Sequence, residues 1–350
     1  MPIHIPKEVR ALLTTNPPTF TDDIVEKLVF DAFGIRAKSC LLASERDQNF
    51  RLDADDGKHY TLKISNHAEQ ADVVEFQNGA LLHIADKDPG IPIPRVIPNL
   101  AGSFYSVVEL QGRHHMVRLF SWMEGTVLYD VKAQPALLNH LGSLLARLGL
   151  ALNDYDHTGS NSALLWDMKR AGNLRHLLPC IEDPALKPMI EFALARFDKI
   201  EPGLKQLRPQ VIYNDMNPDN VLVDSDNCQT ITGVIDFGDL VKSPLVIDVA
   251  VAAAYYLSDG RDPLSGTLPL ISGYHRLRPL QPAELEMLPD LIRTRLITSL
   301  LIMSWRISEF PENREYLQRS LASSKTFLSN LNRLDDKAAI AQIRSACPEA

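Results

Sequence analysis

Cysteines are scarce in this sequence and are not arranged for metal binding. Only four of the 350 residues are cysteines, and they are dispersed: Cys40, Cys180, Cys228 and Cys347. Structural zinc sites use closely spaced pairs of cysteines or histidines, and the ten histidines are scattered as well. The sequence therefore disfavours a structural metal site and predicts a protein of a reducing compartment.

Long apolar runs are also missing. The longest, residues 249–257 and 296–303, fall well short of the roughly 20 residues that a membrane-spanning helix needs. The N-terminal residues contain no apolar core of signal-peptide length. We therefore expect a soluble, cytoplasmic protein with no membrane partner.

Basic residues are outnumbered. The chain has 36 Lys and Arg against 44 Asp and Glu, a formal net charge of -8. This balance disfavours nucleic acid as the main partner and is compatible with a cationic small molecule. With 45% hydrophobic and 23% charged residues, the composition is that of a globular protein.

The first third of the chain combines strand patterns with two helical patterns. Thr21 followed by two acids predicts the start of a helix that runs to Phe33. Asn66 and Glu69 resemble a capping box, which predicts a second helix from there to about His83. Alternating segments predict antiparallel strands at 49–52, 60–64, 105–110 and 117–122.

The remainder is mostly helical in pattern. Apolar periodicity predicts helices at 137–152, 163–178, 185–200, 245–257 and 283–308. The exception is 221–238, which alternates like a hairpin around a turn at 224–227. The sequence thus predicts an α+β protein with a small antiparallel-sheet lobe, residues 1–124, and a larger helical lobe, residues 125–350.

The segment 211–239, VIYNDMNPDNVLVDSDNCQTITGVIDFGD, places polar groups beside strand-like apolar residues. Asp215, Asn220 and Asp236 offer oxygen ligands of the kind that Mg²⁺ prefers and shares with substrate phosphates. A carboxylate outside the metal shell can accept the proton of a hydroxyl nucleophile. Because phosphoryl transfer depends mainly on positioning and charge screening, this set is nearly sufficient for it.

The strings NDMNPDNVLVD (214–224) and IDFGD (235–239) resemble the catalytic loop and metal-binding segment of the aminoglycoside phosphotransferase-like kinases. Within that family, the chain most resembles the hydroxylysine kinases and the kinase-like domains fused to class III aminotransferases. The resemblance extends from about residue 20 to about residue 330 and includes 44–50, 75–78 and 244–250. It implies a protein-kinase-like two-lobed fold, with the catalytic loop at 213–220 and the metal-binding segment at 236–239.

The resemblance also implies roles for single residues. Asp215 would accept the proton of the substrate hydroxyl, and Asn220 and Asp236 would hold Mg²⁺. Lys63 would pair with the phosphates of ATP or GTP, and Glu75 would hold Lys63. The other implied nucleotide-binding positions are Ser44 and Asn49, in a loop over the phosphates, and Trp122, near the base.

Further positions concern the loop and the substrate. Asp248 would brace the catalytic loop, while Tyr213 departs from the family, which usually has histidine there. The candidate substrate-binding residues are Asp239, Asp167 and Trp166.

Several functions remain open at this stage. The first is a magnesium-dependent kinase that phosphorylates 5-hydroxylysine. The alternatives are a kinase for aminoglycosides or for another amino-alcohol, such as homoserine or a choline-like compound, and a nucleotide-binding pseudokinase. The presence of Lys63, Asp215, Asn220 and Asp236 disfavours the pseudokinase. The few acids in residues 311–350 disfavour a polycationic antibiotic.

Overall fold

The structure, a computed structural model, describes residues 15–44, 46–260, 262–310 and 321–348. Its strands are β1 (Ala37–Leu42), β2 (Gln48–Ala54), β3 (His59–Ile64), β4 (Val96–Ile97), β5 (Ser106–Leu110), β6 (Arg113–Ser121), β7 (Thr126–Val127), β8 (Pro209–Ile212), β9 (Val221–Val223), β10 (Ile231–Val234) and β11 (Val241–Pro244). Its α-helices are α1 (Asp22–Phe33), α2 (Ala71–Lys87), α3 (Pro135–Ala151), α4 (Leu186–Leu204), α5 (Leu245–Ala253), α6 (Leu268–Leu277), α7 (Pro282–Glu309), α8 (Leu321–Arg333) and α9 (Asp336–Ala346).

The N-terminal region is built on one antiparallel sheet with the order β1-β2-β3-β6-β4, and β5 also pairs with β6. Helix α1 covers one face of this sheet. Successive strand residues point to opposite faces of the sheet. The residues next in sequence to those that pack against α1 therefore lie on the other face. The core between helix and sheet contains Val25, Val29, Phe33, Phe50, Leu52, Leu62, Ile64, Val117 and Leu119.

The opposite face of the sheet positions the polar residues. In the strand registers, Lys63 lies directly opposite Asn49 on one side and Arg118 on the other. Directly opposite residues share a face of the sheet. These three side chains therefore form a polar row on the face that α1 leaves uncovered.

The larger core lies beyond this sheet and contains most of the remaining helices. Helix α2 belongs to it through Phe76, Ala80, Leu81 and Ile84. Helix α7, 28 residues long, is buried along most of its length within this core. Two small antiparallel sheets, β10-β9-β7 and β11-β8, carry the segment around Asp215. None of the described helices is both long and apolar enough to cross a membrane.

Most predicted elements are present, with two corrections. Helix α1, the β2–β3 hairpin and the β9–β10 hairpin lie at the predicted places. The capping box at Asn66 is wrong, because the Asn66 side chain closes a buried turn instead, accepting the N–H of Ala68 at 3.0 Å. Helix α2 therefore begins only at Ala71.

The second correction concerns the helix predicted at 163–178. This segment instead forms 3-10 turns from Met168 to Cys180, so its apolar periodicity indicated a buried helical segment but not its tighter winding. The predicted junction near Glu124 and Gly125 lies between β6 and β7. The division into residues 1–124 and 125–350 stays a prediction.

Candidate active site

The loop after β8 is held from inside the larger core by Asp248 of helix α5. The Asp248 carboxylate accepts the backbone N–H groups of Asn214 at 2.8 Å and Tyr213 at 3.3 Å. Asn214 has a left-handed backbone, with φ of 65°, so the turn needs such support. Burial raises the pKa of Asp248 to about 7, although both N–H groups favour its charged form.

Asp215 follows this supported turn and meets two different partners. Asn220 donates its side-chain N–H to the Asp215 Oδ2 atom at 2.7 Å, and Arg295 Nη2 lies 3.4 Å from Oδ1. Burial raises the pKa of Asp215 well above its usual range, and the charge of Asp239 raises it further, while Arg295 opposes the shift. The carboxylate is thus a stronger base than an exposed aspartate.

The predicted metal-binding segment begins two residues after β10. Asp236 has a left-handed backbone, with φ of 54°, and its carboxylate accepts the N–H of Gly238 at 3.0 Å. The Ile235 N–H donates to the Asn220 carbonyl at 2.9 Å, which joins this segment to the catalytic loop. Lys63 and, more weakly, Arg46 hold the pKa of Asp236 below its usual range.

The oxygen donors here fit a hard cation. Asn220 uses its side-chain N–H groups on Asp215, which leaves its carbonyl oxygen for a ligand. Within the described ranges, no three His, Cys, Asp or Glu side chains are grouped to hold a metal. Mg²⁺ characteristically takes one or two carboxylates and completes its shell with phosphates and water. The pair Asn220 and Asp236 fits that pattern.

Lys63 is held by an aspartate that the sequence analysis did not assign. Its Nζ atom lies 3.0 Å from Asp47 Oδ2 and 3.9 Å from Asp236 Oδ1. Burial opposes the charge on Lys63, but these two carboxylates outweigh it and raise its pKa. Asp47 also accepts the backbone N–H of Asn66 at 2.9 Å, so its position is fixed.

The predicted pairing of Glu75 with Lys63 is wrong. Glu75 is exposed on α2 and accepts a hydrogen bond from the Tyr105 hydroxyl at 3.1 Å. Gln77, two residues on, faces the site instead. It accepts from Arg118 Nη1 at 2.8 Å and donates to the Gly238 carbonyl at 3.0 Å. Gln77 therefore links the sheet, helix α2 and the metal-binding segment.

The other predicted nucleotide-binding residues lie along the same sheet. Ser44 is exposed in the loop between β1 and β2. Asn49 is opposite Lys63, and its Oδ1 atom is buried with no hydrogen-bond partner in the described part of the chain. Trp122 follows β6, where the Arg51 guanidinium lies 5.0 Å from its ring centroid. Its backbone N–H donates to His59.

The predicted substrate residues have different surroundings. Trp166 lies against Arg295, whose guanidinium is 4.7 Å from the ring centroid, so it borders the Asp215 site. The Asp239 Oδ1 atom is buried, with Arg46 Nη2 at 3.7 Å. Asp167 is wrong as a substrate ligand: its side chain has no exposed surface and is neutralised by Lys169 at 3.3 Å and by Arg170.

Arg295 itself was missed by the sequence analysis. It lies on α7, 80 positions after Asp215, and no local pattern connects the two. Arg118 was also given no role; it lies in a predicted strand, and the structure places it opposite Lys63.

The sequence also matches the model of a known protein family. The model of the family described as the phosphotransferase enzyme family matches residues 40–280. The chain belongs to this family. The match covers more than half of the chain, including Lys63, Asp215, Asn220 and Asp236.

Similar proteins include kinases that are named for small amino-alcohol substrates. The chain is 25% identical over 344 residues to a hydroxylysine kinase of Mus musculus, covering 91% of this chain and 90% of that protein. It is also 25% identical over 290 residues to a homoserine kinase of Rhodospirillum rubrum, covering 78% of this chain and 81% of that protein.

Solved structures of other small-molecule kinases share the fold. A microcompartment-associated aminopropanol kinase superposes with a TM-score of 0.71 at 19% identity, covering 89% of this chain and 97% of that one. An amicoumacin kinase in complex with AMP-PNP and Ca²⁺ gives 0.69 at 15% identity, covering 95% and 99%. The predicted kinase-like two-lobed fold is confirmed, and so is the predicted enzyme class, a phosphotransferase that acts on hydroxyl groups.

Proposed function

We propose that the chain is a small-molecule kinase that transfers the γ-phosphoryl group of ATP or GTP, with Mg²⁺, to a hydroxyl of a hydroxylated amino acid or amine. The first candidate acceptor is 5-hydroxylysine. The observation that carries the proposal is the position of Asp215. Its Oδ2 atom accepts a hydrogen bond from Asn220, a neighbour of the Lys63–Asp236 pair. Its Oδ1 atom faces Arg295, which lies beside the rings of Trp166 and Tyr255.

The nucleotide would bind along the polar face of the N-terminal sheet. Lys63 and Arg118 are adjacent cations on that face, and Arg46 approaches from the β1–β2 loop. Together they offer three positive groups to the phosphates. Trp122 lies at the end of the same face, where a flat aromatic ring can border the base.

Asn220 and Asp236 would hold Mg²⁺, which when bound neutralises part of the charge on the phosphates. Other residues of the chain hold both of these side chains in position. The Asn220 amide is oriented by its bonds to Asp215, and Asp236 is fixed by Gly238 and by the nearby Lys63. Ligands held in this way lose little conformational freedom on binding.

Asp215 would accept the proton of the acceptor hydroxyl. Its Oδ2 atom is held by Asn220 at 2.7 Å, which fixes the carboxylate in one orientation. Burial raises its pKa, so its ionised form is a stronger base than an ordinary aspartate. The role of Asn214 and Asp248 is to hold the turn that presents it.

The choice of acceptor rests on the relatives and on the available charges. Hydroxylysine kinases align over about nine-tenths of the chain. An ammonium group beside the reacting hydroxyl would find the Asp239 Oδ1 atom, which lacks a hydrogen-bond partner within the residues described. Homoserine is the second candidate acceptor, because homoserine kinases align over 78% of the chain.

The test is a phosphorylation assay with each nucleotide and Mg²⁺ on hydroxylysine, homoserine, choline, ethanolamine, lysine and kanamycin. We expect the highest kcat/KM for hydroxylysine. A higher value for another acceptor would reject the substrate and leave the kinase function standing. Thermal stabilisation by nucleotide and Mg²⁺ without turnover of any acceptor would instead support a nucleotide-binding pseudokinase.

A further inference from the structure

Arg295 approaches the Oδ1 atom of Asp215, whereas Asn220 donates to the Oδ2 atom. Its side chain is 4% exposed, and the Nη2 atom donates to the Tyr255 hydroxyl at 2.8 Å and approaches Asp215 Oδ1 at 3.4 Å. The other two nitrogens, Nε and Nη1, are buried and have no hydrogen-bond partner among the described residues. A buried cation with open donors is costly unless a ligand or water satisfies them.

Two aromatic rings lie beside the Arg295 guanidinium. Its carbon lies 4.7 Å from the centroid of the Trp166 ring and 5.6 Å from that of Tyr255. These contacts attract the cation but provide no oxygen acceptor for Nε and Nη1. Trp166 and Tyr255 are both partly exposed, so the two rings beside Arg295 border solvent.

The phosphates have other cations. Lys63 lies 3.9 Å from Asp236, and the charges of Arg46 and Arg118 are close enough to interact with the same carboxylate. Arg295 is anchored instead by α7 and by Tyr255 in the larger core. A fourth cation, beside the Oδ1 atom of Asp215, therefore matches an anionic group of the acceptor better than one of the nucleotide.

We propose that Arg295 binds the carboxylate of the acceptor and makes the enzyme selective for hydroxylated amino acids over amino-alcohols that lack a carboxylate. This inference rests on the proposed function and specifies its substrate class. The charges around Asp215 then complement a zwitterion, with Arg295 for the carboxylate and Asp239 for an ammonium group. A polycation without a carboxylate would leave Arg295 unpaired.

The test compares acceptors that differ only by the carboxylate. The pairs are hydroxylysine with 1,5-diaminopentan-2-ol, and homoserine with 3-aminopropan-1-ol. For each pair, the specificity ratio is kcat/KM of the acid divided by kcat/KM of the decarboxylated amine. We expect a ratio of roughly 10 to 100 in the wild type, as for a charge-assisted contact. In Arg295→Met it should fall to within about threefold of one.

The specificity ratio distinguishes recognition of the acceptor carboxylate by Arg295 from an effect of Arg295 on the position of Asp215. Loss of Arg295 can lower turnover of both members of a pair, but only carboxylate binding changes their ratio. Arg295→Lys keeps the charge without the planar fork and should recover part of the ratio. Arg344→Met removes the same charge from an exposed ion pair with Glu286 and should keep the wild-type ratio. An unchanged ratio in Arg295→Met would overturn the inference.

Calorimetric measurement of acceptor binding distinguishes a wrong assignment of Arg295 from a wrong assignment of the kinase function. Each acceptor is titrated into wild type and Arg295→Met with a non-hydrolysable nucleotide and Mg²⁺, and the melting temperature checks the fold of the variant. Selective binding of the acids without turnover would reject the kinase function and keep the assignment of Arg295. Equal affinities of wild type for acid and amine would reject the assignment, whatever the turnover.

Discussion

The Tyr213 hydroxyl donates a hydrogen bond to the carbonyl of Ile235, the residue immediately before Asp236. The ring of Tyr213 also contacts Phe237 edge-on, with centroids 4.9 Å apart. The catalytic loop and the metal-binding segment are therefore joined by the residue that departs from the usual histidine. The tyrosine hydroxyl is the hydrogen-bond donor that connects the two segments.

Tyr213→Phe should lower both stability and turnover. The variant leaves the partly buried Ile235 carbonyl without this donor, which costs about 1 kcal/mol of stability, and we expect kcat to fall several-fold. Tyr155→Phe is the matched control, because its hydroxyl donates to the Phe76 carbonyl at 2.8 Å away from Asp215. The control should lose similar stability in urea denaturation but keep its kcat. Equal kcat values for the two variants would argue against a linking role for Tyr213.

Asp215→Asn should remove the proton acceptor and preserve the shape of the site. We expect kcat to fall roughly 10² to 10⁴-fold, the usual contribution of a general base, with nucleotide affinity within about twofold of wild type. Asp226→Asn, in the exposed β9–β10 turn, is the control and should be neutral. Steady-state kinetics and nucleotide titrations measure both effects. Retention of more than about a tenth of wild-type turnover, with chemistry rate-limiting, would exclude Asp215 as the base.

Asp236→Ala should abolish the dependence of nucleotide binding on Mg²⁺, because the carboxylate joins the ion to the protein. Lys63→Ala should weaken nucleotide binding but leave its Mg²⁺ dependence in place. Fluorescence titrations with and without Mg²⁺ measure both. If Asp236→Ala bound nucleotide as wild type does in Mg²⁺, the assignment of Asp236 as a metal ligand would be wrong.

Asp47→Asn and Glu75→Gln test which acid holds Lys63. Both changes replace a carboxylate by an amide, but only Asp47 lies near Lys63, at 3.0 Å. We expect kcat/KM for nucleotide to fall roughly tenfold or more in Asp47→Asn, the value of a charge-assisted contact, and to stay within about twofold in Glu75→Gln. A larger loss in Glu75→Gln would contradict the observed arrangement.

Asp248→Asn should change how stability depends on pH. The pKa of Asp248 is about 7 in the folded chain and about 3.9 in an unfolded one. The folded state therefore binds the extra proton between these values, so this contribution to the free energy of unfolding falls as pH rises from about 4 to about 7. Above that range it is constant. Urea denaturation of wild type and variant at several pH values gives the difference, and a difference independent of pH would contradict the shift.

The part of the site that could be predicted is the part encoded locally. Asp215, Asn220 and Asp236 meet because a short turn and the β9–β10 hairpin bring them together, and both features are visible in the sequence. Strand alternation placed Lys63 in β3, and the family resemblance supplied its predicted role. The antiparallel sheet and most helices of the larger core also followed from periodicity.

The wrong and missing predictions concern residues whose contacts depend on the rotation of a helix or on tertiary packing. At about 100° per residue, Glu75 lies on the side of α2 opposite to Phe76, Ala80 and Ile84, so the predicted apolar face itself argued against Glu75. Arg295 had no such signal, because its contact with Asp215 depends on how α7 packs in the core. Asp167 is a buried cap of a 3-10 turn, which its sequence neighbours did not indicate.

The two separate hydrophobic cores have a consequence for unfolding. The sheet with α1 forms one core, and the remaining helices, including α2, form the other. Lys63 belongs to the first unit, whereas Asn220 and Asp236 belong to the second. Without ligand, the two units can open with different free energies, which amide hydrogen exchange would resolve. A nucleotide that contacts both would raise the cost of opening either one and would merge two unfolding steps into a single cooperative transition.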